Sequence, residues 1–190
     1  MFKRTCAVGA VCALVLAGFL APAAAQQSAD KAKQESKSLS KSDQRYFQEL
    51  ARSNLAEIQT GKLAQGKAAS EEVKQYGQRM VADHTKMLEE QRTLARTKSV
   101  SLPAAPDDKH QQAFKRLESM SGAEFDRAFM EQMVKDHENA LRLVKDIAAK
   151  ADDPDLQALG KKAVPEIQKH LEKAQSLASS VKPGKAGASR

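Results

Sequence analysis

Met80-Val81-Ala82-Asp83-His84 and Met133-Val134-Lys135-Asp136-His137 spell one phrase, M-V-x-D-H, twice, each time in the middle of a long stretch whose apolar residues recur at three- and four-residue steps. That spacing draws a single stripe along an α-helix. Val73, Gly77, Met80, His84, Met87, Gln91 and Leu94 form the stripe around the first phrase, and Met130, Met133, His137, Ala140, Val144 and Ile147 the stripe around the second. Both histidines thus stand in seams that a folded chain buries, where a polar group needs a partner. Each aspartate is turned by about 100° from the histidine beside it and points to a helix flank.

Two more helices flank this pair. Phe47, Leu50, Ala51, Asn54, Ile58 and Gly61 share a face over residues 42–66, with Glu57 on its border. Leu156, Leu159, Ala163, Ile167, His170, Ala174 and Leu177 share another, with Pro165 expected to kink the helix before His170. Ser70 reads as an N-cap, Ser121-Gly122-Ala123-Glu124 as a capping box, and Asp153-Pro154 as a cap with a first-turn proline. Between the second and third long helices lies a polar connector holding Leu102-Pro103, Pro106 and a short helix from Asp108 to Met120, in which His110 reads as exposed. Two short turns and one long middle connection predict an all-α, ferritin-like four-helix bundle with a long helix 2 to helix 3 crossover, spanning 41–178.

The ends read differently. Lys3 and Arg4, the apolar run from Ala7 to Leu20 and Ala23-Ala24-Ala25 have the pattern of a signal peptide over 1–25, which predicts a periplasmic or secreted protein. Cys6 and Cys12 are the chain's two cysteines and both fall in that leader, so disulfides, thiolate metal sites and cysteine nucleophiles are excluded from the rest. Residues 26–40 read as a flexible linker and 179–190 as a disordered basic tail. No stretch reaches the ~20 apolar residues of a transmembrane helix. Of the 31 Lys and Arg, Lys3 and Arg4 lie in the leader, which leaves 29 against 24 Asp and Glu and a net charge of +5. That surplus is compatible with weak association with anionic envelope surfaces, or simply with a solvated helical exterior. The chain has no Trp and no aromatic cluster, which argues against nucleic acid as a partner.

Three helices thus place one histidine each, His84, His137 and His170, on an inward face, and the first helix offers Glu57. Side chains on facing helices converge in a bundle core, and neutral imidazoles and carboxylates suit one transition metal ion such as zinc, copper or iron. Counted from the turns at ~1.5 Å per residue, His137 and His170 differ in level by roughly 4 to 5 Å, whereas Glu57 and His84 differ by roughly 6 Å and Asn54 stands closer to level with His84. Asp83 and Asp136 are placed to accept hydrogen bonds from a histidine on an adjacent helix.

Leu55-Ala56-Glu57-Ile58, Gly61-Lys62-Leu63-Ala64, the two M-V-x-D-H phrases, Ser121-Gly122-Ala123-Glu124-Phe125-Asp126 and Val164-Pro165-Glu166-Ile167 with His170 together resemble the bacterial exported family called domain of unknown function 4142. The resemblance covers about Asp43 to Leu177. It implies a ferritin-like fold and, from the outer-membrane label its members often carry, export; it implies no activity. True di-iron bundles use Glu-x-x-His on two helices. Here the residues three before the histidines are Val81, Val134 and Ile167, so the carboxylates of a ferroxidase centre are missing. Likewise His137-Glu138 begins like a zinc-protease phrase, but Leu141 stands where the second histidine is needed.

Two functions stay open at this level. In one, the histidines hold a metal, with Met80, Met87, Met130 and Met133 nearby leaving room for copper. In the other they bond to aspartates or backbone and lock the register of a structural, stress-related envelope protein. No nucleophile–base pair emerges from the spacing, which favours binding or structure over catalysis.

Overall fold

The computed structural model describes residues 39–181. The leader, most of the linker and the basic tail beyond 181 lie outside the described residues, although Leu39 packs on the core and Ser40 caps the first helix. Five helices follow one another: α1 (Lys41–Lys67), α2 (Glu71–Thr97), α3 (Asp108–Glu118), α4 (Gly122–Lys150) and α5 (Pro154–Ser180). The four long ones form a bundle, and none is long and apolar enough to cross a membrane. Ser70 accepts a hydrogen bond from the Val73 amide and Asp153 from those of Asp155 and Leu156, so the caps at these two turns form as read. The capping box does not. Ser121 makes no side-chain cap bond, because Gly122 takes a φ of 64° and swings the chain into α4, a conformation that suits glycine. Helix α5 runs through Pro165 to Ser180, past the tail boundary expected at 179.

Two aspartates fix how the hairpins α1–α2 and α4–α5 meet. Asp43, in the first turn of α1 and 1% exposed, accepts the amides of Asp152 at 3.1 Å and Asp153 at 2.8 Å in the α4–α5 turn. Asp126, the fifth residue of α4 and 4% exposed, accepts those of Ala69 at 3.1 Å and Ser70 at 2.8 Å in the α1–α2 turn. The start of each hairpin is thereby tied to the bend of the other. It follows that α1 and α4 are antiparallel, that α2 and α4 are parallel, and that the 98–121 crossover must travel the length of the bundle.

These ties reveal a duplication with a shift of 83 residues. Asp43 corresponds to Asp126, Ala68 to Ala151 as C-cap, Ser70 to Asp153 as N-cap, and Gly77 to Gly160. A Cβ on Gly77 would lie 2.8 Å from the Gly61 carbonyl oxygen and 2.7 Å from Ala64 Cβ; one on Gly160 would lie 3.0 Å from the Val144 oxygen and 2.8 Å from Ile147 Cγ2. Gly61 and Ala64 map onto Val144 and Ile147 under the same shift. The M-V-x-D-H phrases, 53 residues apart, belong to non-equivalent helices and are not this repeat. On α1 the inward column runs Phe47, Leu50, Asn54, Glu57, Gly61, Ala64; Glu57 is therefore buried, and Ile58 is left half-buried. Close helix contact at Gly61 and Gly77 draws that column, instead of the Ile58 side, into the core.

Replacing Asp126 by Ala removes two charge-assisted hydrogen bonds to a turn and is expected to lower the unfolding free energy by about 2 to 4 kcal/mol in denaturant melts. The Ala69 and Ser70 amides should lose hydrogen-exchange protection selectively. Unchanged protection of those two amides would show that Asp126 does not hold the turn.

Candidate metal centre

Halfway along the bundle, α2, α4 and α5 each deliver one histidine to the same point. His84 is 1% exposed, His137 0% and His170 1%. Their ring centroids form a nearly equilateral triangle with sides of 5.6, 5.3 and 5.5 Å. Each ring offers one nitrogen, and these nitrogens all lie within 4.8 Å of one another.

The outer nitrogens are all engaged, and their partners fix the tautomers. His137 Nδ1 donates to the Met133 carbonyl oxygen at 2.8 Å, one turn back on its own helix. His170 Nε2 donates to Asp83 Oδ2 at 2.9 Å, and Arg79 Nε donates to the same oxygen at 3.1 Å. His84 Nδ1 lies 2.9 Å from Asn54 Oδ1. The Asn54 amide is oriented because its Nδ2 donates to Gln91 Oε1 at 3.3 Å, while Gln91 Nε2 donates to the Phe47 carbonyl. A carbonyl can only accept, so His84 carries its proton on Nδ1. The remaining nitrogens, His84 Nε2, His137 Nε2 and His170 Nδ1, are buried without a hydrogen-bond partner. All three therefore aim bare lone pairs at one space, with each outer N–H oriented as in protein metal sites.

Burial keeps the rings neutral. Desolvation, reinforced by the neighbouring His137 and His170, holds His84 well below the usual imidazole range. Desolvation takes His137 down to about 4, against the pull of the Met133 bond. Desolvation also lowers His170, partly offset by Asp83. Neutral imidazole is the form that ligates.

Not every residue singled out from the sequence reaches this point. Asp83 stands beside His170, but Asp136 touches none of the three rings: it accepts from Gln132 Nε2 at 2.9 and 2.8 Å on its own helix. The helical turn that sends His137 inward sends Asp136 toward the α3 side, where Lys109 and His110 face it. Glu57 is not in the cluster either. It is 3% exposed with Oε2 unpartnered, and desolvation followed by repulsion from Asp136 lifts its carboxyl well above the usual range. The level difference with His84 is filled by Asn54. His110, expected to be exposed, is half-buried and bonded through Nδ1 to Asp107 at 2.7 Å. The Asn54–Gln91 relay escaped the sequence reading, although both residues stand as polar breaks in apolar stripes.

The sequence profile of the family described as Domain of unknown function (DUF4142) matches residues 27–177. The chain belongs to this family. Among solved structures it is similar to "CopM in the Cu(II)-bound form", at 17% identity and a TM-score of 0.63 over 73% of this chain and 96% of that one. "CopM in the Cu(I)-bound form" gives the same identity and coverage with a TM-score of 0.61. At that identity the likeness is one of fold, that of a helical bundle. Comparison with curated proteins gives no match.

Two pH effects follow, of opposite sign. The histidines are lowered in the folded state, so their burial costs nothing above the ordinary imidazole range and erodes stability as pH falls from about 6.5 toward about 4. In a chain stripped of metal by chelation, unfolding at about pH 5 is expected to take up a net of about one proton or more, the uptake by the histidines exceeding the release by Glu57, read from the pH slope of the unfolding free energy. A slope of zero between about pH 5 and 6 would contradict neutral buried rings. Glu57 is raised, so it weakens the fold as pH rises. Glu57→Gln is expected to be more stable than the parent at about pH 8 and no more stable at about pH 4.5; a gap independent of pH would contradict a buried protonated carboxyl.

Proposed function

We propose that this protein binds one transition metal ion through His84, His137 and His170, and that it acts by holding or handing on that ion, not by catalysis. The observation that carries the reading is the set of three buried ring nitrogens that face one another without partners. A purely register-locking role leaves them unexplained. An unpaired buried polar atom costs about 1 to 3 kcal/mol, so three cost roughly 3 to 9, a large share of the 5 to 15 kcal/mol that keeps a domain folded. A shared ion turns each of those costs into a bond.

The donor set supports copper, in its reduced state, ahead of zinc or iron. All three donors are neutral, and no carboxylate belongs to the cluster. The centre is buried, and the cost of burying charge rises with the square of that charge. Asp83, bonded to His170, is already paired with Arg79, so the surroundings offer little negative charge, which favours a monovalent ion over a divalent one. Three imidazoles also suit the low coordination number of copper(I). The copper-bound neighbours named above share the fold, which is consistent with this choice. A periplasmic or secreted location follows from the leader-like first 25 residues, and the scarcity of carboxylates around the histidines argues against ferroxidase chemistry.

The test is a titration of the full chain with copper(I), zinc(II) and iron(II) against competing chelators, together with thermal melts. One equivalent of copper(I) should bind, and free ion at about a hundredfold over its dissociation constant should stabilise the fold by about 2.7 kcal/mol. His137→Ala should abolish both effects. Binding and melting that are the same in His84→Ala, His137→Ala and His170→Ala as in the parent would overturn the reading.

A further inference from the structure

The two hairpins meet along two seams, α1 against α4 and α2 against α5, and these are finished differently. Helix α3 of the crossover lies against α1 and α4 and roofs the first seam. The second has no such cover among the described residues. It holds a cleft of about 180 Å³ lined by Asp83, Lys86, Met87 and Glu90 of α2 and by Lys162 and Glu166 of α5, among others.

The cleft reaches two of the residues that hold the histidines. Asn54 and Asp83 both line it. The first is bonded to His84 and the second to His170. The cleft thus ends one residue short of three buried lone pairs. Asp83 spends Oδ2 on His170 and Arg79 and has no hydrogen bond to Oδ1 among the described residues; its side chain is 35% exposed. Met87, one turn further along the same face of α2, brings a half-buried thioether. Glu90, by contrast, is tied to Lys162 across the cleft.

We propose that the α2–α5 cleft is the route by which the ion reaches the histidine centre, with Asp83 Oδ1 and the Met87 sulfur as its transient docking ligands. This rests on the metal-binding reading above. A carboxylate attracts the cation, a soft thioether discriminates in favour of copper(I), and α2 and α5 touch each other far less than the helices within each hairpin do. Lys86, exposed at the rim, opposes the approach of a cation.

The experiment follows the rate of copper(I) transfer from its cationic acetonitrile complex to the full-length chain under anaerobic conditions, at low salt, alongside equilibrium affinity. Lys86→Glu is expected to speed loading by about threefold to tenfold through local steering. Lys115→Glu, the same charge change on the roofing helix α3, should leave the rate as it is. Met87→Leu should slow loading by about fivefold or more, and Lys86→Glu and Lys115→Glu should keep the parent's affinity and melting temperature. Equal rate changes in Lys86→Glu and Lys115→Glu, or an unchanged rate in Met87→Leu, overturn the route while leaving the metal centre standing. So does faster loading in Lys173→Glu than in Lys86→Glu, which would place access at the separate opening beside His170. A chain that takes up no metal overturns the centre and the route together.

Discussion

Everything at the centre of this bundle depends on the axial stagger of two helical hairpins, and that stagger is set by two buried carboxylates accepting backbone N–H groups. Asp43 and Asp126 each sit at the start of a hairpin and hold the bend of the other. Apolar seams alone tolerate a slip, because ridges and grooves repeat along a helix and one turn is about 5.4 Å. Such a slip exceeds the 4.8 Å that encloses the three donor nitrogens. A carboxylate that matches two adjacent amides does not tolerate it. The glycines finish the work: Gly61 meeting Gly77 bring α1 and α2 so close that their side chains interlock in one register.

The candidate site arises where this repeated frame stops repeating. Under the 83-residue shift His137 falls on Asn54, His84 on Ile167 and His170 on Met87. Each ligand position thus has a partner that supports it, packs inertly or lies on the cleft. Asn54 is the clearest case. It occupies the place of a ligand and instead orients one, passing the fixed direction of the Phe47 carbonyl through Gln91 to His84. A symmetric site would need ligands from all four helices; here α1 supplies only orientation. Its carboxyl Glu57 is one turn too far along and is held neutral by burial.

The helices, the caps at Ser70 and Asp153 and most of the inward stripes were legible in the sequence because 3.6-residue periodicity and cap chemistry are local, and local signals survive without knowledge of the partner. The long crossover was legible as length. The convergence of His84, His137 and His170 was legible only as a shared face on three helices, since their levels depend on the stagger. Asp43 and Asp126 gave no warning of their role: their partners are backbone amides, which leave no residue type to recognise. Asp136 shows the converse failure. It shares a phrase with Asp83, but flank direction depends on which helix lies alongside: α2 has α5 on that side, with His170 in reach, whereas α4 has α3. Ile58 and Glu57 exchange burial for a similar reason, because the glycine contact chooses which column of α1 turns inward.

The crossover itself has a consequence for access. When two hairpins are joined so that the second and third long helices run parallel, the connection has to return along the outside of the bundle, and it covers whichever seam it follows. Here it follows α1 and α4, where Asp136 and Glu57 lie. The uncovered seam is the one that carries Asp83, the carboxylate bonded to His170. Its side chain is 35% exposed there, while Glu57 is enclosed in the core and held neutral. The topology that closes one side of the core therefore leaves Asp83, the carboxylate that supports His170, on the other.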